Sequence, residues 1–349
     1  MGLTILHSAD WHLGFPFASF PPEQRKYLQE QLQAIPQKVA DLCRRENCDL
    51  VLLSGDLLDS PEENRYTDLL ARALESCGVP VFIAPGNHDY LTRESVWLCH
   101  RWPDNVHIFP GQMSGAVPEA LDCRVWGAGY TSMDSPGLLE NFRAEGPERW
   151  QLGVLHADPL RRTSPYCPVT AAQLRSSGLD YLALGHIHRQ GNFRCGGLCA
   201  WPGAPMGRGF DESGSKGVYI VHLNEEAQLR FVSLDAPEFR TAELPDSELD
   251  GFLGSARKEN FYRITLTGEM AQPLEEIMAA YAHLPNLEWI DLRYAPADPW
   301  ARAGEESLEG IYFRLLREKL EKASGEEREI IELAAKLSGE ILEHREVAL

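Results

Sequence analysis

An apolar run of β-branched and aromatic residues, Val79-Pro80-Val81-Phe82-Ile83-Ala84, stops at Pro85-Gly86 and hands over Asn87, His88 and Asp89. Such a run marks a buried strand, and Pro-Gly breaks it. In sheets flanked by helices, ligands gather outside the carboxyl ends of the strands. An amide, an imidazole and a carboxylate delivered there point to an α/β fold organised around a polar site. The pattern recurs. Residues 3–8 lead into Asp10 and His12, residues 49–54 into Gly55-Asp56, residues 152–155 into His156, and residues 179–184 into Gly185-His186-Ile187-His188.

Each motif has a chemical and a plainer reading. Asp10 and His12 lie two apart, so on an extended chain they point to one side and make half of a mixed oxygen/nitrogen metal site. The same pair also fits an ordinary surface. Asp56 either caps the helix that follows or bridges two cations. His186 and His188, straight after a glycine at a strand end, are a metal signal. His7 reads as core and His107 as a half-exposed strand residue. A helical stretch spans residues 23–46 with a break at Pro36, which forbids one uninterrupted helix. Tyr66, Leu69, Leu70, Ala73 and Leu74 recur at helical spacing, as a core stripe or in part a homodimer face.

At 349 residues the chain can hold a large domain and a smaller one. No apolar run approaches the ~20 residues of a membrane span. Asp10 and His12 interrupt the first apolar stretch, so a signal peptide is not expected. Eight scattered cysteines without a C-x-x-C pair fit reduced thiols and a cytoplasmic protein. The net charge of −19 argues against a uniformly basic nucleic-acid binder. It leaves a nuclease open, because bound divalent cations reverse the local sign. Residues 1–235 carry 28 acidic and 20 basic side chains, whereas residues 236–349 carry 24 and 13. The denser negative charge of the tail suits a protein-facing surface better than a phosphate backbone.

Taken in order, Asp10-x-His12, Gly55-Asp56, Gly86-Asn87-His88-Asp89, His156 and Gly185-His186-x-His188 resemble the five motifs of the calcineurin-like metallophosphoesterases. Within them the chain is similar to the SbcD branch of DNA-repair nucleases, near the bacterial YhaO-type exonucleases. The words behind this are His7-Ser8-Ala9-Asp10-Trp11-His12-Leu13-Gly14 and the loop Pro202-Gly203-Ala204-Pro205-Met206-Gly207-Arg208-Gly209-Phe210-Asp211-Glu212. The likeness covers roughly residues 1–235. It implies a layered β-sandwich flanked by helices, with a small α+β capping domain at 236–300 and a helical C-terminal segment at 301–349.

It also implies two divalent cations. Asp10, His12 and His188 would hold one, Asn87, His156 and His186 the other, and Asp56 would bridge them. An imidazole-rich set suits manganese, iron or zinc more than magnesium or calcium, and the family's usual metal is manganese. His88 would protonate the departing oxygen, with Asp89 orienting it. Archaeal and eukaryotic relatives carry a second histidine three residues after the bridging acid, where this chain has Asp59.

DNA would be gripped by basic and aromatic groups near the motif loops. Arg93, Arg189 and Arg208 lead, with Arg101, Trp102, Arg161, Arg162, Arg194 and Lys216 behind them. Residues 262–267, 274–283 and 287–294 read as a β-α-β unit, followed by a linker at 295–299. Two amphipathic helices come next. The first carries Leu308, Ile311, Tyr312, Leu315 and Leu320. The second opens on Ser324-Gly325-Glu326-Glu327, which has capping-box spacing, and turns Ile330, Ile331, Leu333, Ala334, Leu337 and Ile341 inward. In the family such helices dock on an SbcC-like SMC-type ATPase; folding back on the cap is the alternative. Two activities remain: a metal-dependent DNA exonuclease or endonuclease, and a generic phosphoesterase acting on small nucleotides or phosphoproteins.

Overall fold

The computed structural model describes residues 2–294 and 300–342. The expected linker at 295–299 lies outside the described residues. Strands β1 (Leu3–Ser8), β2 (Leu50–Leu53), β3 (Val81–Ile83) and β4 (Val106–Ile108) pair in parallel, in chain order. The chain then builds a second sheet from β5 (Ser114–Ala116), β6 (Cys123–Ala128), β7 (Trp150–His156), β8 (Tyr181–Gly185), β9 (Gly191–Cys195) and β10 (Gly197–Trp201). Its order is β5-β6-β7-β8-β10-β9. Finally β11 (Gly217–Leu223) and β12 (Ala227–Ser233) return to the first sheet, β11 lying antiparallel to β1. The sequence pattern predicts β1–β3, β7 and β8, and strands at residues 106–109 and 123–127 that match β4 and β6; β5 and β9–β12 are not among the expected strands.

Alternation along the strands explains why the apolar runs have no polar face. Leu50 and Leu52 of β2 pack with Leu152 and Val154 of β7 between the sheets. Val51 and Leu53 turn outward to meet Val39, Leu42, Leu70 and Leu74. Those four come from helices Ile35–Arg45 and Thr67–Ser76. A strand buried on both faces reads as continuous hydrophobe. On the other side Leu155, Leu182 and Leu184 pack against Leu174 of helix Ala171–Ser177. The result is helix, sheet, sheet, helix. Leu70, Ala73 and Leu74 of the stripe are buried in this chain's own core, while Tyr66 and Leu69 are half-buried.

The break at Pro36 takes a different form from that expected. Helix Pro22–Gln33 ends at Ala34, and Pro36 sits in the first turn of Ile35–Arg45, where its missing N–H costs nothing.

Register levels the strand ends. Ser8 pairs with Leu53, Leu53 with Ile83, and His156 with Gly185. Within each sheet, therefore, the motif loops leave from one edge.

The chain divides into two compact units. The first comprises Met1–Thr241, Arg257–Arg263 and Pro285–Glu288, the second Ala242–Ala256, Ile264–Leu284 and Trp289–Leu349. A separate sheet of β13 (Phe239–Leu244), β14 (Phe261–Leu266) and β15 (Leu287–Asp291) has the order β13-β14-β15. In the second unit, the buried Arg293 guanidinium joins Asp246 at 2.7 Å and Asp291 at 2.8 Å. Helix Leu308–Leu320 starts at Ser307, whose hydroxyl accepts from the Gly310 N–H. It packs Phe313 on Ala335 of helix Glu326–Leu342. Lys336 pairs with Glu269, so the last helix folds back on residues of its own unit. Of the expected inward stripe, Ile331 is buried and Ala334 and Leu337 are half-buried, while Ile330, Leu333 and Ile341 face solvent.

Candidate metal centre

Three groups of side chains place their donor atoms within 4.8 Å of one another: Asp10, His12 and His188; Asp10, Asp56 and His156; and His12, Asp56 and His88. The groups share members, so they form one cluster at the strand ends. Asp10, His12, Asp56 and His156 are almost wholly buried. Asp56 Oδ2 lies 3.3 Å from His156 Nε2 and 3.7 Å from His12 Nε2. Asp56 and Asp10 each belong to two of the three groups. Asn87, also buried, sets Oδ1 3.0 Å from His156 Nε2. His186 stands ring to ring with His156, with centroids 5.3 Å apart, and its backbone N–H donates to Asp10 Oδ1 at 2.9 Å. His186 and His188 thus divide. His188 joins Asp10 and His12, while His186 lies against His156 and Tyr166.

The backbone that achieves this is not the extended one that the Asp-x-His spacing suggested. Asp10 has φ 56°, His12 48°, Asp56 51° and His186 85°. These are left-handed conformations, uncommon for non-glycine residues and costing on the order of 1 kcal/mol or more each. Hydrogen bonds lock them: Asp10 N–H donates to Gly55 O and His12 N–H to Asp56 O. The glycines of the motifs are spacers. A Cβ on Gly55, at φ 84°, would sit 2.7 Å from both Gly86 N and His156 Nδ1, and one on Gly185 would sit 2.1 Å from Ser54 O.

Each of three imidazoles in the cluster has a partner on its far side. His156 Nδ1 donates to Ser54 O at 2.8 Å, which leaves Nε2 for the cluster. His12 Nδ1 donates to Asp59 at 3.2 Å, and His188 Nδ1 to Glu212 at 2.7 Å. A carboxylate behind a histidine fixes its tautomer and raises its basicity toward a cation. In the sequence Asp59 stands out only as a departure from relatives. Glu212 has no assigned part there; its one signal is an acid near the last motif. Asp89 differs from expectation. Its carboxylate accepts backbone N–H groups of Gly86 at 2.6 Å, Leu57 at 2.8 Å, and Asp56 and Leu58 at 3.2 Å. Among the described hydrogen bonds none joins it to the His88 ring. It ties the Asp56 loop to the Gly86 loop instead.

Electrostatics mark a place built for positive charge. Burial alone would keep His156 neutral, yet the adjacent Asp56 carboxylate lifts it to about 9. Asp56, despite burial, is held far below the usual carboxylate range by His156 and then His12. Burial pulls His12 down. Burial, with the His156 charge behind it, takes His186 to about 4. Burial and the Asp56 charge push Asp89 up to about 7. Asp10 Oδ2 and His12 Nε2 are fully buried and have no hydrogen-bond partner among the described residues. Buried polar atoms are ordinarily paired, so two orphans facing one cluster fit ligand atoms. Carboxylate, imidazole and amide donors around a shared acid match a pair of divalent ions.

Of the basic groups expected to grip DNA, Arg93, Arg161, Arg162 and Arg189 are exposed. Arg208 is engaged: its Nη2 donates to Glu212 at 2.7 Å and lies 2.7 Å from His188 Nδ1. Lys216 is buried and donates to His188 O at 3.0 Å. Arg194 pairs with Glu226, and Trp102 stacks on Trp97.

The family model for calcineurin-like phosphoesterases matches residues 3–190, which hold every motif of the cluster. The chain belongs to the calcineurin-like phosphoesterases. It is 33% identical over 243 residues to YhaO of Bacillus subtilis, an uncharacterised metallophosphoesterase, covering 63% of this chain and 57% of that protein. It is 28% identical over 207 residues to the 3′,5′-cyclic adenosine monophosphate phosphodiesterase CpdA of Haemophilus influenzae, covering 54% of this chain and 71% of CpdA. It is 22% identical over 280 residues to SbcD, a component of the SbcCD nuclease of Bacillus subtilis, covering 67% of this chain and 70% of SbcD. The chain therefore spans little more than half the length of YhaO. Among the described residues no helix is long and apolar enough to cross a membrane.

Proposed function

We propose that this phosphoesterase is a two-metal phosphodiesterase that cuts DNA in the manner of an SbcD-type repair exonuclease or endonuclease. The supporting observation is the convergence of Asp10, His12, Asp56, His88, His156 and His188 at ligand distance, with two buried donor atoms left bare. Asp10, His12 and His188 would hold one cation and Asn87, His156 and His186 the other, with Asp56 shared. Manganese is the metal we favour; iron or zinc would suit the same donors. When bound, the paired cations supply charge neutralisation at phosphorus and an activated water. The protein's own part is positional. Asp59, Ser54 and Glu212 hold three imidazoles in one tautomer each, and the left-handed turns keep the acids aimed inward. His88, half-buried at the edge of the cluster, donates a proton to the leaving oxygen. Asp89 keeps the loop of His88 in register with that of Asp56.

We assign catalysis to residues 1–235, a cap to 236–300 and partner docking to 301–349, where an SbcC-like ATPase would sit in a cytoplasmic complex. Arg93 and Arg189, exposed beside the motif loops, would touch phosphates. The likeness to CpdA favours a second reading, a phosphodiesterase for small nucleotides. Manganese-loaded protein is tested on linear duplex and single-stranded DNA across a salt series, beside cyclic AMP. Cutting of DNA that falls steeply with salt supports the nuclease. Turnover confined to cyclic AMP selects the second reading.

A further inference from the structure

One wall of the metal cluster is also the wall of a cavity. The Phe15 N–H donates to His12 O at 3.0 Å, and Arg208 reaches from His188 to lay its guanidinium 5.0 Å above the Phe15 ring. Beyond them opens a cavity of about 670 Å³, all of whose lining residues belong to the first compact unit. Phe15, Phe20 and Phe210 face it, and none is fully buried. The Arg263 guanidinium lies over the Phe210 ring, 4.2 Å from its centroid. Gln24 and Asn286 add amides to the lining.

We propose that this cavity receives a nucleobase, that of the nucleotide next to the phosphate being hydrolysed. The proposal rests on the phosphodiesterase reading above and names the substrate class for the same site.

The charge balance argues for a base and against a second phosphate. Both arginines are already matched, Arg208 by Glu212 at 2.7 Å and Arg263 by Glu288 at 3.0 Å. Asp211 also lines the space. A phosphate would find no free positive charge here and a carboxylate nearby. What the cavity does present is aromatic faces, guanidinium planes and amide groups. Flat neutral heterocycles stack on such faces, whatever their identity, at ~1–3 kcal/mol per base. Amides supply donors and acceptors for the edge of the ring. Half-exposed aromatics clustered around one cavity, two of them carrying a guanidinium over one face, form a surface that a flat partner would cover.

Two measurements on the full chain test this. In the first, a phosphorothioate oligonucleotide that resists cutting carries 2-aminopurine at successive positions from its end. Stacking quenches the fluorescence at one position, and Phe210→Ala or Phe15→Leu abolishes that quenching. In the second, kcat/KM is measured for thymidine 5′-(p-nitrophenyl) phosphate and for the base-free bis(p-nitrophenyl) phosphate. Phe210→Ala lowers the ratio of the two by about tenfold, as loss of one stack predicts. Phe210→Trp guards against misfolding by restoring both signals with a larger ring. Quenching and ratio unchanged in every variant, with wild-type turnover normal, overturn the cavity assignment alone. Wild type that hydrolyses neither diester sinks the phosphodiesterase reading as well. A base carried on a strand or on a free nucleotide separates on cyclic AMP. If Phe210→Ala impairs its hydrolysis equally, the source is a free nucleotide; if cyclic AMP is not hydrolysed, it is a polynucleotide.

Discussion

The strand-end cluster and the C-terminal helix pair spend their residues in opposite ways. In the cluster, charged side chains are buried, four non-glycine residues sit at positive φ, and the rings of His12, His156 and His188 are braced from behind. In the helix pair the backbone is regular, and large apolar side chains stand in water: Leu308 is 83% exposed, Ile330 60% and Leu333 57%. Strain and buried charge persist only where surrounding packing over-determines them, and the two sheets supply that packing. Among the described residues the helices pack on each other and on their own unit, through Phe313 on Ala335 and Lys336 to Glu269. The helix pair is not packed to the same degree.

The sharpest way to break that contrast is Asp56→Ala. It removes the acid shared by both halves, so metal content by elemental analysis and phosphodiester turnover should both vanish. Retention of two metals would show that the halves are independent. Next, His88→Gln should keep its metals and lose roughly 10²–10⁴-fold in turnover, the range of a general acid. Normal turnover on a nucleotide diester would remove His88 from its role.

Replacement of the braces, Asp59→Asn or Glu212→Gln, should weaken metal affinity by ~10–100-fold without unfolding the protein. Titration with manganese, followed by thermal melting, reads this directly. An unchanged affinity would mean that the left-handed loops alone aim the rings.

The floor of the cluster can be probed through His7, which joins β1 to both sheets. It bonds to Ser54 at 2.9 Å, to Leu184 O at 3.1 Å and to the Tyr181 hydroxyl at 2.7 Å. Burial takes its pKa from 6.5 to about 3, with the Leu184 carbonyl opposing. Because the folded value is the lower one, the unfolded chain binds the proton first. Stability from this site is therefore complete above pH 6.5 and is lost as pH falls toward 3. By pH 5 the loss is about 2 kcal/mol. Urea midpoints measured against pH should show that slope in wild type and a shallower one in His7→Gln. Equal slopes would place the acid sensitivity elsewhere.

The smallest effect is expected on the helix pair. Leu315→Ser or Ile330→Ser should change stability by no more than about 0.5 kcal/mol, whereas Phe313→Ala should cost roughly 3 kcal/mol. A large loss from the exposed positions would show that the outer faces are already covered in solution.

Some of this was fixed locally and some was not. An apolar run of four to six residues, a glycine and then a carboxylate or imidazole is a near-neighbour pattern. Asp10, His12, Asp56, Asn87, His156, His186 and His188 could therefore be read along the chain, as could β1–β4 and β6–β8. Edge strands such as β9 and β12 turn one face to water, so they alternate apolar with polar residues and lack the continuous apolar run that marked the buried strands. Which histidine joins which acid was decided by the register of two sheets and by turns at positive φ, which side-chain spacing does not encode. Asp59, Glu212 and the turned-away carboxylate of Asp89 became meaningful only when loops far apart in sequence met. Local sequence selects residue types through steric and solvation preferences of a few neighbours. The pairing of distant loops depends on how whole sheets stack, and only the folded chain contains that.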